Sequence, residues 1–240
     1  MKVVILAGGK GTRLLPYTTV YPKPLVPIGD RPILEILIRQ LAKNGFDEII
    51  LAVGHLAELI QAFFGDGSKY GIKIEYSKED KPLGTAAPIL KIRDKLNETF
   101  IMMNGDILTT LDFSALVHYH QKNKAAATVA LNKRDVNIDY GVVEVDSKQN
   151  IHEWKEKPKI SYNVSMGVYV LEPEVLDYVP QNQPYDLPEL IRDLINNNKI
   201  VKGYLYDGYW LDIGRPEDYK KAVEEKNPQE LIEWILKGKK

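Results

Sequence analysis

Short apolar runs alternate with amphipathic stretches along the first half of the chain. Residues 3–7 form a continuous apolar run, which is typical of a strand buried on both faces of a parallel sheet. Residues 32–43 instead carry apolar side chains at helical spacing and end at Asn44-Gly45, a common helix stop. The same patterns predict further strands at 48–53, 72–76, 100–103 and 127–131, and further helices at 57–64, 85–96 and 113–122.

Strands that alternate with helices predict an α/β fold with a Rossmann-like, doubly wound and mostly parallel sheet. Beyond residue 135 the pattern changes, because strands at 141–145, 151–154 and 166–171 follow one another without helices. We expect this region to form a small inserted β-rich lobe within one domain over residues 1–240. The remaining pattern predicts helices at 173–178 and 187–196, strands at 200–205 and 210–213, and C-terminal helices over 216–238.

The composition narrows the classes of function. The 240 residues include 32 Lys and Arg and 33 Asp and Glu, so the net charge of −1 gives no overall attraction to nucleic acid or to an acidic membrane. A bound phosphate must therefore be held by a local cluster of positive charge. The absence of cysteine excludes disulfides, thiolate zinc sites and a cysteine nucleophile, and it suits a cytoplasmic protein. No apolar stretch has the length of a signal peptide or of a membrane span, so no membrane association is expected.

A glycine-rich run, GGKGTR at 8–13, directly follows the first predicted strand. Ligands of α/β folds bind beyond the carboxyl ends of the strands, and glycines let backbone N–H groups approach phosphate oxygens. The run is not a dinucleotide fingerprint, because Leu14 stands where a third glycine or alanine is needed. It is not a Walker loop either, because Gly11 follows Lys10. A phosphate-binding loop is the functional interpretation, and a tight turn with incidental charge is the alternative.

Lys23 stands between two prolines, Pro22 and Pro24. Each proline fixes its own φ and restricts the residue before it, so the lysine is carried on a stiffened backbone. Such a backbone can direct one ammonium at a phosphate with little loss of entropy. The alternative is a surface loop with a solvated lysine.

These motifs resemble the sugar-1-phosphate nucleotidyltransferases, also called nucleotide-sugar pyrophosphorylases. Seven short segments match the family's pattern in the same order, and together they extend the resemblance from residue 2 to about residue 219. The segments are GGKGTRL at 8–14, PKPL at 22–25, PLGTA at 82–86, NGD at 104–106, YGVV at 140–143, EKP at 156–158 and WLDIG at 210–214. Each segment alone is weak evidence, but their common order is specific.

The resemblance implies an enzyme that joins a nucleoside triphosphate to a sugar-1-phosphate and releases pyrophosphate. It implies a nucleotide-binding part over about 1–135 and a sugar-binding part over about 136–215. The implied nucleotide-binding residues are Leu6, Ala7, Gly8, Gly9, Gly11, Thr12, Arg13, Lys23, Glu79, Gly84 and Thr85. The implied sugar-phosphate residues are Asn104, Gly141, Glu156, Lys157 and Asn163.

Catalysis in this family resembles phosphoryl transfer, which relies on positioning and on neutralising charge. The implied catalytic residues are Arg13, Lys23, Asp106, Lys157 and Asp212. Asp106 and Asp212 are the expected Mg²⁺ ligands, because each stands at the carboxyl end of an apolar strand and Mg²⁺ prefers one or two carboxylates. The alternatives are a turn-forming aspartate at 106 and a polar residue at a strand edge at 212.

The base and the sugar are less constrained by the sequence. Glu79 stands five residues before Gly84, and a carboxylate can accept both donors on one edge of guanine. This loop most resembles the mannose-1-phosphate guanylyltransferase branch, so GTP and mannose-1-phosphate, or a related manno-sugar phosphate, are the first expectation. The alternatives are a glucose-1-phosphate uridylyl- or thymidylyltransferase and a phosphocholine cytidylyltransferase, with Glu79 as a solvated loop acid.

Two further alternatives belong to other classes. A catalytically silent paralogue that binds a nucleotide sugar and regulates a partner would not need all five implied catalytic residues. A dinucleotide-binding dehydrogenase would need a third glycine and an acid at the end of the second strand, where Val53-Gly54-His55 stands instead.

Families like the sugar-1-phosphate nucleotidyltransferases commonly form dimers or tetramers, so a homo-oligomer is a further alternative. Arg215 replaces the threonine that usually follows Asp-Ile-Gly in the family.

Overall fold

The computed structural model describes residues 1–79, 81–225 and 227–237. Positions 226 and 238 of the predicted C-terminal helices, and Asp80, lie outside these residues. The strands are β1 (Lys2–Ala7), β2 (Pro27–Ile28), β3 (Arg31–Pro32), β4 (Glu48–Val53), β5 (Lys73–Lys78), β6 (Phe100–Asn104), β7 (Ile107–Thr109), β8 (Ala127–Asn137), β9 (Val142–Val145), β10 (Ile151–Lys155), β11 (Lys159–Leu171), β12 (Val201–Leu205) and β13 (Trp210–Asp212). The α-helices are α1 (Ile33–Lys43), α2 (Ala57–Phe64), α3 (Phe113–Lys122), α4 (Leu187–Asn196), α5 (Pro216–Lys220) and α6 (Pro228–Lys237).

Seven strands form the central sheet in the order β12-β8-β11-β6-β1-β4-β5. The pairs β6–β1, β1–β4, β4–β5 and β8–β12 are parallel, whereas β11 runs antiparallel to both of its neighbours. The predicted Rossmann-like, mostly parallel α/β sheet is therefore confirmed.

Helices cover both faces of this sheet. Alternate residues of β1 enter opposite cores, with Val3 and Ile5 on the face that α1, α2 and α3 pack against and Val4 on the other. The second face is covered by α4 and by two 3-10 helices, Ala87–Lys95 and Pro173–Tyr178. Since both faces are buried, the apolar run of β1 needs no polar alternation.

The predicted helix at 85–96 is not an α-helix. The segment forms the 3-10 helix Ala87–Lys95, which is kinked at Ile92, where φ is −119°. Pro88 lies in its first turn, a position that an α-helix also tolerates, and Ala87, Ile89 and Ile92 are buried in the core on this face of the sheet. The helix predicted at 173–178 is likewise 3-10.

The β-rich region is a continuation of two strands of the central sheet. Strands β8 and β11 are longer than predicted, and they pair from Ala127 and Leu171 at one end to Asn137 and Lys159 at the other. The hairpin of β9 and β10 lies between them in sequence. Most residues of this extension are exposed.

A third core cluster joins the C-terminal part to the sheet domain. Residues of α1 and α6 pack there with Leu108 of β7 and Leu211 of β13. Strands β7 and β13 form a separate antiparallel pair. Along the ranges that the structure describes, no helix combines the length and apolarity that a membrane crossing requires.

Candidate active site

The candidate site lies where the central strands β1 and β6 end. These strands are parallel neighbours, and Leu6 is in register with Asn104. The backbone N–H of Gly105 donates to the carbonyl oxygen of Leu6 over 2.9 Å. The sheet therefore delivers the glycine-rich loop after β1 and the Asn104-Gly105-Asp106 turn after β6 to the same edge.

A cleft of about 450 Å³ opens at this edge. Its wall contains every predicted nucleotide and metal residue. They are Leu6, Ala7, Gly8, Gly9, Gly11, Thr12, Arg13, Lys23, Glu79, Gly84, Thr85, Asp106 and Asp212. Lys10 is exposed and lies outside this wall. Of the two cations in the glycine-rich loop, only Arg13 therefore borders the cleft.

Gly11 lets the loop pack against the segment that carries Lys23. Its φ is +64°, in the left-handed region that favours glycine. A Cβ at this position would lie 2.8 Å from Cγ2 of Thr18 and 3.0 Å from Cβ of Lys23. The hydroxyl of Thr18 donates to the carbonyl oxygen of Gly11 over 2.8 Å and fixes this contact.

Lys23 supplies a buried positive charge in the cleft. Its ammonium pairs with Oδ2 of Asp106, and the two side chains are only 14% and 13% exposed. Burial lowers the pKa of Lys23 to about 8, Asp212 opposes that shift, and Arg13 adds to it. The protonated form of Lys23 therefore depends on negative charge nearby, from carboxylates or from a bound phosphate.

The two candidate metal ligands reach the cleft from paired strands. Asp212 ends β13 and is in register with Ile107 at the start of β7, while the N–H of Ile213 donates to the carbonyl oxygen of Asp106 over 2.9 Å. A Cβ on Gly214 would lie 2.9 Å from Oδ1 of Asp212 and 3.0 Å from Oδ2 of Asp106. The two carboxylates are thus close neighbours around one glycine.

This donor set fits Mg²⁺. The cation prefers one or two carboxylates, with water and phosphate oxygens completing its octahedron. The ammonium of Lys23 already rests against Asp106, so this position accommodates a cation. Within residues 1–79, 81–225 and 227–237, no cluster of three or more His, Cys, Asp and Glu side chains could hold a metal. A metal ion bound here would take its protein ligands from the carboxylate pair, Asp106 and Asp212.

Glu79 forms another part of the wall. It directly follows β5, and its backbone N–H donates to the carbonyl oxygen of Val53 over 2.9 Å. A Cβ on Gly8 would lie 3.5 Å from its Oε1, so the carboxylate borders the glycine-rich loop. Burial raises the pKa of Glu79, and a hydrogen bond from the N–H of Leu83 partly opposes this.

Asp186, at the start of α4, holds the neighbouring loop in shape. Its Oδ1 accepts from both the N–H and the hydroxyl of Thr85, over 2.7 and 2.9 Å. The hydroxyl of Thr85 also accepts from the N–H of Leu187 over 2.8 Å. Gly84 has a φ of +86°, and a Cβ there would lie 2.7 Å from the same Asp186 oxygen. Since its hydroxyl is already engaged, Thr85 shapes the loop.

The predicted sugar-phosphate residues divide into two groups. Asn104 lines the cleft. Glu156, Lys157 and Asn163 are exposed on the β-rich extension and, like Gly141, do not line it. Gly141 and Glu156 lie together, because Gly141 packs on the indole of Trp154, whose N–H donates to Oε2 of Glu156 over 3.3 Å.

Sequence reasoning missed several residues around the cleft. Pro24, Pro82, Gly105 and Gly214 line it. These four stand inside the quoted motifs, so the motifs were a usable signal for them. Asp186 stands in no such motif, and its contact with Thr85 spans 101 positions. Local pattern gave no signal for that residue.

The chain also matches a known protein family along most of its length. The profile of the nucleotidyl transferase family matches residues 2–228. The chain belongs to this family.

Relatives and a solved structure extend the match. A UTP–glucose-1-phosphate uridylyltransferase of Synechocystis sp. is 37% identical over 93% of this chain, and a probable mannose-1-phosphate guanylyltransferase 1 of Oryza sativa is 36% identical over 91%. The chain spans 62% and 63% of the length of these two relatives. The crystal structure of HddC from Yersinia pseudotuberculosis complexed with GMP-PN is 27% identical, with a TM-score of 0.74 over 93% of this chain and 98% of that one. This nucleotidyl transferase therefore shares its fold with that protein along nearly its whole length.

Proposed function

We propose that this nucleotidyl transferase moves a nucleoside monophosphate from a nucleoside triphosphate to a sugar-1-phosphate and releases pyrophosphate. The observation that carries the proposal is the meeting of Lys23, Asp106 and Asp212 around Gly214, beside the glycine-rich loop. A buried cation, two carboxylates and a glycine-rich loop supply the kinds of charge and backbone that transfer between phosphates uses.

The proposed reaction forms one bond and breaks one. An oxygen of the sugar phosphate attacks the α-phosphorus, and the bond from that phosphorus to the oxygen of pyrophosphate breaks in line. The nucleophile is already ionised near neutral pH, because the second pKa of a phosphate is about 6, so no general base is needed. In the proposal Lys23 contacts the α-phosphate and Arg13 the leaving pyrophosphate. Asp106 and Asp212 would hold Mg²⁺, which would supply neutralising charge to the phosphates.

The sugar phosphate is proposed to bind between the cleft and the β-rich extension. Lys157 would neutralise the attacking phosphate, while Glu156, Asn163, Gly141 and Asn104 would contact the sugar phosphate. Lys157 lies in the short turn between β10 and β11, and its φ of +43° is the left-handed conformation that such turns use. The parts over about 1–135 and 136–215 are accordingly proposed as nucleotide-binding and sugar-binding.

This function is tested by measuring pyrophosphate release in the presence of Mg²⁺. The assay combines each of five nucleoside triphosphates with several sugar-1-phosphates. Release that requires both substrates supports it. No release from a folded sample that binds nucleotide would instead favour the silent regulatory paralogue.

GTP and mannose-1-phosphate are the proposed substrates. The partly buried carboxylate of Glu79 in the cleft wall supports guanine, because it offers two acceptors to the two donors on that base's edge. The similarity to the Oryza protein supports the same choice. A second candidate is UTP with glucose-1-phosphate, which the similarity to the Synechocystis protein favours. We also propose that the protein is located in the cytoplasm.

Replacing Glu79 by glutamine should weaken the preference for GTP over UTP by about 10- to 100-fold, the discrimination typical of one bidentate base contact. The amide keeps one acceptor but turns a donor toward guanine. The measurement is the ratio of kcat/KM for the two triphosphates. Glu58→Gln is the control, since Glu58 is exposed on α2 and pairs with Lys78. An unchanged ratio in Glu79→Gln would remove Glu79 from base recognition.

The same preference should depend on pH. Burial raises the pKa of Glu79, so this carboxylate takes up its proton at a higher pH than an exposed glutamate does. The protonated carboxyl group loses one acceptor, so the GTP-to-UTP ratio of kcat/KM should fall as the solution is made mildly acidic. Glu79→Gln should abolish this dependence. A wild-type ratio that stays constant over the whole range of folded protein would contradict the prediction.

A further inference from the structure

A buried carboxylate outside the cleft wall touches the backbone of a candidate metal ligand. Asp218 of α5 is fully buried. Its Oδ2 accepts from a guanidinium N–H of Arg134 and, over 3.1 Å, from the backbone N–H of Asp212. A buried carboxylate is costly unless it is paired and hydrogen-bonded, and here both of these contacts fall on one oxygen.

Arg134, on the β-rich extension, provides the guanidinium that pairs with Asp218. It lies on the long part of β8, and its guanidinium carbon is 5.0 Å from the ring centre of Trp210. The indole N–H of Trp210 donates in turn to the carbonyl oxygen of Met166 on β11, over 3.1 Å. The guanidinium is thereby held between an aromatic ring and Asp218, where its planar shape suits both contacts.

Asp212 is consequently fixed on several sides. Its N–H is held by Asp218, its Oδ1 accepts from the N–H of Gly214 over 2.9 Å, and its carbonyl oxygen accepts from the N–H of Arg215 over 3.0 Å. Arg215 is itself exposed and is the N-cap residue that precedes α5. The end of β13 and the start of α5 therefore form one turn that directs the Asp212 carboxylate toward Asp106.

We propose that Asp218 and Arg134 are positioning residues for the cation site. Through the Asp212 backbone they hold its carboxylate at the separation from Asp106 that one divalent cation needs, and they tie this geometry to the β-rich extension. The inference rests on the proposed function, because it takes Asp106 and Asp212 as the cation ligands. Partners that orient a metal ligand typically change metal affinity or activity by about 10- to 100-fold when removed.

The test is a titration of the full chain with Mn²⁺ alone, in which electron paramagnetic resonance measures the bound Mn²⁺. Asp218→Asn should weaken Mn²⁺ binding by about 10- to 100-fold. The matched control is Asp177→Asn, which breaks an exposed pair with Arg93. In turnover, the Mg²⁺ concentration for half-maximal rate should rise in Asp218→Asn while the KM for the sugar phosphate stays constant. High Mg²⁺ should restore the rate.

A second variant tests the proposal independently if Asp218→Asn does not fold. Arg134→Lys keeps the positive charge but loses the planar contact with Trp210, and it should weaken Mn²⁺ binding in the same direction by a smaller factor. Asp212→Asn calibrates the assay. Mn²⁺ binding that falls in Asp212→Asn but is unchanged in folded Asp218→Asn and Arg134→Lys overturns the positioning role and leaves the proposed function standing. Binding unchanged in Asp212→Asn overturns the cation site and the inference with it.

Discussion

Asp106→Asn should lower turnover by about 1,000-fold or more, while the protein remains folded. The side chain is 13% exposed, pairs with Lys23 and lies beside Asp212 at Gly214. The amide keeps the size of the carboxylate but removes one of the two negative charges proposed to hold Mg²⁺. Removing a single fixed hydrogen-bond donor from an active site costs about 100- to 1,000-fold in turnover, and loss of a metal ligand should cost at least as much.

The measurement is pyrophosphate release at saturating substrates and Mg²⁺, with thermal unfolding as the check on folding. Asp94→Asn is the matched control, since Asp94 is exposed and lies outside the cleft wall. The double variant with Asp212→Asn should be little worse than either single variant, because the two carboxylates act as one unit. Turnover above about one tenth of the wild-type rate, in a variant that binds Mg²⁺ normally, would refute the role of Asp106.

Lys23→Met should lower turnover by about 100- to 1,000-fold, the range for removing a fixed electrostatic contact to the reacting group. Methionine retains much of the buried stem of the lysine but has no charge. The ammonium is held beside Asp106 in a buried position, and burial has lowered its pKa to about 8. A bound phosphate raises the pKa of a neighbouring ammonium, so the charge is most stable in the complex that reacts.

Lys10→Met is the matched control for this variant. Lys10 belongs to the same glycine-rich loop, but it is exposed and does not line the cleft. We expect it to change turnover by less than a few-fold, in keeping with a solvated surface charge. Comparable losses in Lys10→Met and Lys23→Met would show a general effect of charge near the loop, and would contradict a specific contact of Lys23 with phosphate.

Most secondary structure followed from pattern alone. The helices predicted at 57–64, 113–122 and 187–196 have the observed bounds of α2, α3 and α4. Errors arose where a neighbour decided the structure. The length of β8 and β11 depends on their mutual pairing, and the 3-10 geometry of Ala87–Lys95 on packing beneath the sheet.

The sequence by itself determined which residues end the strands. In a parallel sheet the carboxyl ends of the strands share one edge, so the glycine-rich loop after β1 and the turn that ends in Asp106 could be placed at the same edge once the strands were recognised. The local periodicity of apolar residues carries that information, whereas the pairing of β1 with β6 that makes the two loops neighbours belongs to the tertiary structure. The roles of the predicted site residues remain predictions, whereas the placement of the nucleotide and metal residues in one wall is structural.

Only the tertiary structure decided how Lys23 and Asp212 meet Asp106, and how Asp218 meets the backbone of Asp212. Asp212 reaches Asp106 through the antiparallel pair of β13 with β7, and Asp218 is joined to Arg134, 84 positions away. Such contacts depend on how whole elements pack against one another, and no periodicity of two or 3.6 residues reports them. The physical reason is that hydrophobic periodicity records which face of an element is buried, but not which distant element covers it.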